Sequence, residues 1–448
     1  MENRDSFGNR FGVLVALAGS AVGLGNLWRF PYLVGNNGGA IFIIFYLFFV
    51  FLICLPLMFS EFVIGRRSQA NVFGAFKKLS PNKSPFWSKI GIISVFCSLT
   101  ILSFYSVVGG WTIDYLIRSL CFQLTPESNF NTMFLESSQS TLRPLLYTFI
   151  FLFFTALIVI TGVKKGIEKY SKILMPILFI MVIFIAIRSL TLPSANKGIE
   201  FLFNPDFSKL TTSTILEALG QAFFSLSIGC GTIITYASYV KANENIIKVS
   251  TYTALADIIF AMLAGLAIMP AVFAFGASPT EGPGLVFVII PQIFAQVPLG
   301  ALLAIVFFFI LLFAALTSSI SLLEVVVAFI LEEFHIKRKS AVSIAFSLTL
   351  ILAILCSLSL GILKGWPFEG FTFFDFLDKL SANILLPLGG LLFMLFVGWK
   401  MKKDDYFDEL TNKHLLPINK FLLIVIHSIV KYIVPIIIVV IMIFGILK

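Results

Sequence analysis

Residues 11–32 read FGVLVALAGSAVGLGNLWRFPY. The run is long enough to cross a bilayer, yet Gly19, Gly23 and Gly25 interrupt its middle, and Asn26 and Arg29 follow at once. A plain membrane anchor has no use for that combination. Glycine weakens a helix by freeing the backbone and removing side-chain packing. In lipid, unwound backbone survives only where protein buries it or where it lines a polar cavity. Close helix packing is the other use of membrane glycines, and for Gly23-Leu24-Gly25 alone the two readings stand level. Asn26, together with a second broken segment further on, decides between them. Residues 19–26 are expected to form the core of an ion or solute site in a helix broken near mid-membrane.

Composition sets the class. The chain has 448 residues, 58% hydrophobic and 12% charged, with a mean hydropathy of +1.00. That is more apolar surface than a soluble core can hide, so the fold class is an all-α membrane protein. Eleven apolar segments are expected, at residues 11–32, 40–65, 90–117, 144–162, 170–190, 214–238, 250–275, 300–331, 341–363, 380–399 and 418–446. No cleavable signal is expected ahead of the first. Of the 32 Lys and Arg residues, 22 fall in loops on the side of the N-terminus and 8 on the other, with Arg29 and Lys431 inside segments. The positive-inside rule then places the N-terminus in the cytoplasm and the C-terminus outside. The net charge of +9 is thus a topology signal, and no nucleic-acid partner is expected. Five cysteines, at 54, 97, 121, 230 and 356, give no disulfide framework or metal spacing. The histidines at 335, 414 and 427 are scattered, and no nucleophile–base pair supports an enzyme.

Segment 6 repeats the theme of segment 1. It contains FFSLSIGCGTIITYASY, with Gly229-Cys230-Gly231 at its centre and Ser225 and Ser227 just before; Ser20 likewise stands upstream of Gly23-Leu24-Gly25. The two lie five segments apart, so the second half of the chain enters the membrane from the opposite face. Paired Gly-interrupted spans in an inverted repeat point to a transport site. Ionisable residues inside segments are functional by default because burying charge is costly. Glu61 is expected to brace unwound backbone, Asp257 to act at a site, and Glu324 to bind, carry protons or pair. Thr317 and Ser318, beside Ala314 and Ala315, can ligate a hard cation through their hydroxyls or simply bond back to their own helix. Proline-rich residues 276–298 read as an external hairpin or lid.

These stretches together resemble the bacterial amino-acid branch of the neurotransmitter:sodium symporter family: AVGLGNLWRFPY with NNGGAI, PLMFSEFVIGR, FYSVVGGW, FFSLSIGCGTIITYASY and ALTSSIS, in that order across segments 1–10. The resemblance implies two inverted five-helix repeats with helices 1 and 6 unwound at mid-membrane. Residues 1–400 would form the transport core, and 401–448 a cytoplasmic linker and eleventh helix. It implies two sodium ions. The first would use the Ala21 carbonyl, Asn26, Ser225 and the substrate carboxylate, with Asp257 at or beside it. The second would use carbonyls of Gly19, Val22 and Ala314 and hydroxyls of Thr317 and Ser318. The substrate carboxylate would sit on the amides of Leu24 and Gly25 and on Tyr105, and its amino group near the carbonyls of Phe224, Ser225 and Ser227. Ser20, Ile101, Phe224, Ser227, Cys230, Ser318 and Leu322 would line the side-chain pocket. Family members often carry a bulkier residue at the position of Cys230, which implies a roomier pocket, and many carry Asn at that of Ser20, so the polar lining departs from the family's there. Arg29 and Asp378 would close the outer side; Arg4 and Glu332, with Phe7 and Tyr239, the inner.

The functional expectation is sodium-coupled symport of a neutral, largely apolar amino acid, aliphatic or aromatic, across a bacterial inner membrane. A charged substrate side chain would find no partner in a pocket of neutral residues. A fixed carboxylate at Asp257 would supply the negative charge that animal members draw from chloride, so chloride independence is expected. The rivals are proton coupling through Asp257 or Glu324, a non-cycling channel or receptor-like binder, and a membrane enzyme.

Overall fold

The structure is a computed structural model that describes residues 6–81, 84–280, 284–368 and 370–446. Among these, nine continuous helices are long and apolar enough to cross a membrane: Ala40–Ser68, Pro85–Leu120, Leu142–Ile160, Val163–Leu190, Ile246–Ala274, Gly300–Glu333, Arg338–Ser359, Phe373–Trp399 and Lys420–Ile443. A tenth crossing is the pair Arg10–Ala21 and Gly25–Asn36, bent by 42°. The eleventh is assembled from Thr212–Ser225 and Thr232–Ala237, each too short to span alone. Numbered in chain order as spans 1 to 11, with spans 1 and 6 broken, they fit the eleven expected. Strand structure among the described residues is a hairpin of two-residue strands, Pro367–Phe368 and Phe371–Thr372.

Packing follows an inverted repeat. Span 1 packs on span 7, span 6 packs on span 2, and spans 3 and 8 pack on each other. If spans 6–10 repeat spans 1–5 upside down, the first two pairings are the same contact seen twice. Span 11 lies at the edge against span 10, and only 28% of its apolar window is buried. Large apolar side chains such as Phe153, Ile180, Ile351 and Ile436 stay exposed on the outer spans, as a lipid-facing surface requires.

The two breaks have local causes. In span 1 the helix stops at Ala21 because Val22 turns extended, with φ −73° and ψ 97°. In span 6, Ser227, Gly229 and Gly231 all adopt the left-handed conformation, with φ of 52°, 87° and 83°. Glycine is the residue that does this without cost. Gly229 is doubly constrained, since a Cβ there would stand 2.2 Å from the Leu386 carbonyl oxygen.

Several boundaries differ from those expected. Span 3 runs from Pro85 to Leu120 rather than 90–117, because proline favours the first helical turn and the helix continues past the apolar stretch. Span 10 begins at Phe373, not 380: the Thr372 hydroxyl caps the Asp375 amide at 3.0 Å, which draws Asp375 and Asp378 into the helix. Residues 285–296 are helical (Leu285–Ile289, then Ile290–Gln296) rather than a plain hairpin. The stretch between spans 10 and 11 carries its own helix, Lys403–Leu410.

Candidate functional site

The two breaks meet at the centre of the bundle, where the Ser227 hydroxyl donates to the Ser20 carbonyl at 3.0 Å. A cavity forms between them, lined by Ser20, Ala21, Gly23 and Gly25 of span 1, Ile101 and Tyr105 of span 3, Phe224, Ser227 and Cys230 of span 6, Ser318 and Leu322 of span 8, and Leu386 of span 10. No ionisable carboxylate or amine is among them. Nine of the expected substrate residues therefore share one cavity. Leu24 and Ser225 do not line it, but the Leu24 amide donates to the Tyr105 hydroxyl at 3.0 Å. Leu386 was missed, and Gly23, inside the expected core of residues 19–26, had been given no lining role. Gly23 has a steric reason to be glycine, because a Cβ there would lie 2.2 Å from Ser318 Oγ.

Beside the cavity, Asp257 of span 7 is fully buried. Its Oδ1 accepts from Asn26 Nδ2 at 2.8 Å and Ser225 Oγ at 2.7 Å. Its Oδ2 accepts from the Tyr46 hydroxyl at 2.8 Å. Asn26 also binds the Asp257 carbonyl at 3.2 Å and accepts from the Gly23 amide at 3.3 Å. Three elements thus bring Asn26, Ser225 and Asp257 into one polar cluster next to Ala21. Every donor is neutral, so the carboxylate is an uncompensated charge of the kind that attracts a cation.

On the other side of span 1, a second oxygen cluster faces span 8. The Thr317 hydroxyl lies 3.0 Å from the Ala314 carbonyl, 3.1 Å from that of Phe313 and 3.5 Å from that of Val22. Ser318 Oγ lies 3.2 Å from the Ser20 carbonyl and 3.4 Å from that of Gly19. These seven oxygens, in two adjacent hydroxyl-centred sets, include the five expected at the second sodium, and oxygen donors of this kind suit a hard cation. Among the described residues there is no cluster of three His, Cys, Asp or Glu side chains that would hold a transition metal.

The residues expected to close the two sides of the site fall in two groups. On one side Arg29 lies with its guanidinium 5.1 Å from the centre of the Phe224 ring, donates to Gln221 at 3.0 Å, and stands 4.0 Å from Asp378. Gln221 in turn donates to the Gly25 carbonyl at 2.8 Å. On the other side Phe7 is buried edge-on against Tyr236 and Tyr239, at 5.8 and 6.3 Å. Arg4 lies outside the described residues. Its expected partner Glu332 accepts from the Asn71 amide and side chain at 2.8 and 3.0 Å. Glu324, left open by the sequence, pairs with Arg338 at 2.5 Å and accepts from Tyr239 at 2.8 Å. Glu61 accepts from the Gly229 amide at 2.8 Å and so holds the unwound part of span 6.

With this geometry established, known proteins can be compared. The model of the sodium:neurotransmitter symporter family matches residues 4–143 and 136–448. The chain belongs to that family. An uncharacterized sodium-dependent transporter of Bacillus subtilis, YhdH, is 41% identical over 406 residues, 90% of each chain. A sodium-dependent transporter of Haemophilus influenzae is 36% identical over 99% of this chain and 98% of its own. Among solved structures, MhsT in complex with L-phenylalanine superposes with a TM-score of 0.92 at 42% identity, covering 98% of this chain and 99% of that one. The symporter is therefore a multi-pass, sodium-dependent membrane transporter and not an enzyme. Tyr46, Gln221, Ser98 and Ser94 are the positions sequence reasoning passed over. The last two donate to the Cys230 and Gly229 carbonyls at 2.8 and 3.5 Å.

Proposed function

We propose that this symporter imports a neutral amino acid with a large apolar or aromatic side chain, driven by two co-transported sodium ions and independent of chloride. The observation that carries the reading is the buried Asp257 carboxylate, held by Asn26, Ser225 and Tyr46 at the edge of the central cavity. A fixed negative charge at that place does the electrostatic work a chloride would otherwise do. One sodium would sit among Ala21, Asn26, Ser225 and Asp257, completed by the substrate carboxylate. The other would sit among Gly19, Val22, Ala314, Thr317 and Ser318. The neutral lining, small at Ser20 and Cys230, leaves a charged side chain without a partner, and the relative MhsT was solved with L-phenylalanine.

The Leu24 and Gly25 amides and Tyr105 would orient the substrate carboxylate, since free N–H groups at a half-helix start attract anions. Arg29 with Asp378 would form the outer gate. Arg4 and Glu332, backed by Phe7 and Tyr239, would form the inner one. Sodium favours cycling only if it binds one state better than the other. Residues 1–400 would carry the transport cycle, with 401–448 a peripheral linker and helix. The N-terminus would lie on the cytoplasmic side of a bacterial inner membrane and the C-terminus outside, a sidedness that the excess of Lys and Arg in the loops on the N-terminal side supports. Proton coupling through Glu324 is disfavoured because Arg338 already neutralises it.

The test is uptake of a panel of labelled amino acids into proteoliposomes, with an inward sodium gradient, a potassium control, and gluconate in place of chloride. Concentrative uptake of phenylalanine or leucine that needs sodium and ignores chloride is expected. Loss with chloride removed overturns the role given to Asp257, and uptake indifferent to sodium overturns the coupling.

A further inference from the structure

At the basic end of the bundle, where spans 10 and 11 meet, two lysines and a buried histidine lie together without an acid. Lys403 opens the helix Lys403–Leu410, and His427 and Lys431 stand one turn apart on span 11. The His427 ring stands 5.9 Å from that of Phe407, the ring that Lys403 overlies. Among the described residues, no carboxylate lies within ion-pair distance of any of the three. The acids of the neighbouring helix are turned elsewhere: Asp405 pairs with Arg67 and Asp408 with His414, while Asp404 lines a separate cavity with Asp408.

What the lysines touch is aromatic. Lys431 Nζ stands 4.7 Å from the Trp399 ring centre and 5.3 Å from that of Tyr432, and Lys403 Nζ 5.2 Å from Phe407. Trp399 Nε1 donates to the Lys431 carbonyl at 3.2 Å, tying the end of span 10 to span 11. Trp399 and Tyr432 are 55% and 50% exposed, on the edge span that buries least. Tryptophan and tyrosine favour the headgroup level of a bilayer, and a lysine within a span reaches its ammonium back to that level. Along the same span, Ile433, Ile436, Val440 and Ile443 remain exposed at helical spacing, an apolar strip that begins beside the cations.

We propose that Lys403, Lys431 and His427 form a binding site for the phosphate headgroup of an anionic phospholipid, with its acyl chains along the exposed strip of span 11. Cationic pockets between spans at a basic face take such headgroups. The adjoining aromatic rings and apolar strip select a lipid over free phosphate, which would use the cations alone. The lipid would neutralise a like-charge cluster that the protein leaves unpaired, and so fasten span 11 to the core.

Trp399 itself reports on the site. The full chain would be reconstituted in mixtures of phosphatidylcholine and bromine-labelled phosphatidylglycerol, and in the converse mixture. The Trp399 signal is isolated by subtracting a Trp399→Phe variant. A preference of about thirtyfold for phosphatidylglycerol is expected, from the usual strength of two lysines at an anionic surface. It should fall close to one in Lys403→Gln/Lys431→Gln and survive in Lys403→Arg/Lys431→Arg. Unchanged quenching of the Gln variant by brominated phosphatidylcholine shows that it is folded. Equal quenching by both lipids in the unaltered chain overturns the proposal. So does a preference that persists in the Gln variant, or one that inorganic phosphate abolishes when chloride at matched ionic strength does not.

Discussion

The two broken spans look alike in sequence but are held in different ways. The break in span 1 is surrounded by neutral hydroxyls and carbonyls of span 8 and by the Asn26–Asp257 cluster. These are oxygens that can exchange one another for a cation. The break in span 6 is held by an acid on its amide and by two serine hydroxyls on its carbonyls: Glu61 on Gly229, Ser94 on Gly229 and Ser98 on Cys230. Those bonds satisfy backbone groups that lipid would leave bare. On the proposed reading, the first break responds to an ion and the second stays open regardless. An interrupted helix in a membrane can therefore be a ligand site or a braced hinge point, and the neighbours decide which.

The sharpest way to break this comparison is Asp257→Asn. Removing the carboxylate bonded to Asn26 is expected to raise the sodium needed for half-maximal uptake by roughly thirtyfold, about 2 kcal/mol, with chloride restoring part of the loss. An unchanged sodium dependence in proteoliposomes would contradict the assignment. Next in size is Glu61→Ala, which strands the buried Gly229 amide at a cost of about 1–3 kcal/mol. The expected outcome is a lower Tm in detergent, with Glu61→Gln retaining most of the stability because it keeps an acceptor. Sodium half-saturation should hold in both; if it moves as far as in Asp257→Asn, the two breaks are not distinct. The smallest effect belongs to Thr317→Val, which removes one hydroxyl from the span 8 cluster. It should raise sodium half-saturation about fivefold, about 1 kcal/mol, while Tm moves by less than about 2 °C. A Tm loss without a sodium effect would make Thr317 a helix-bonding hydroxyl and nothing more.

Much of the site was legible because membrane burial penalises exceptions. A glycine pair beside Asn26, or a carboxylate such as Asp257 in an apolar run, stands out against lipid-facing Leu, Ile and Phe. Leu386 did not stand out, because a leucine in span 10 looks the same whether it faces lipid or the cavity. Tyr46 and Gln221 escaped for a related reason: each is an ordinary polar residue whose partner, Asp257 or Gly25, lies far off in sequence. Ser94 and Ser98 resemble the many hydroxyls that bond to their own helix, and Ser94 does both. The Glu324–Arg338 pair spans a helix end and a turn, so helical spacing gave no hint of it.

The sequence by itself determined that this is a membrane bundle with two matched broken helices. Hydrophobic length and glycine placement are one-dimensional properties, and the bilayer converts them directly into spans and breaks. Only the tertiary structure decided which polar groups meet. The Asp257 cluster draws on spans 1, 2, 6 and 7, the cavity on spans 1, 3, 6, 8 and 10, and Arg29 meets Gln221 and Asp378 from hundreds of positions away. A buried polar group finds its partner through the packing of whole helices, and that packing is written in no single stretch of the chain.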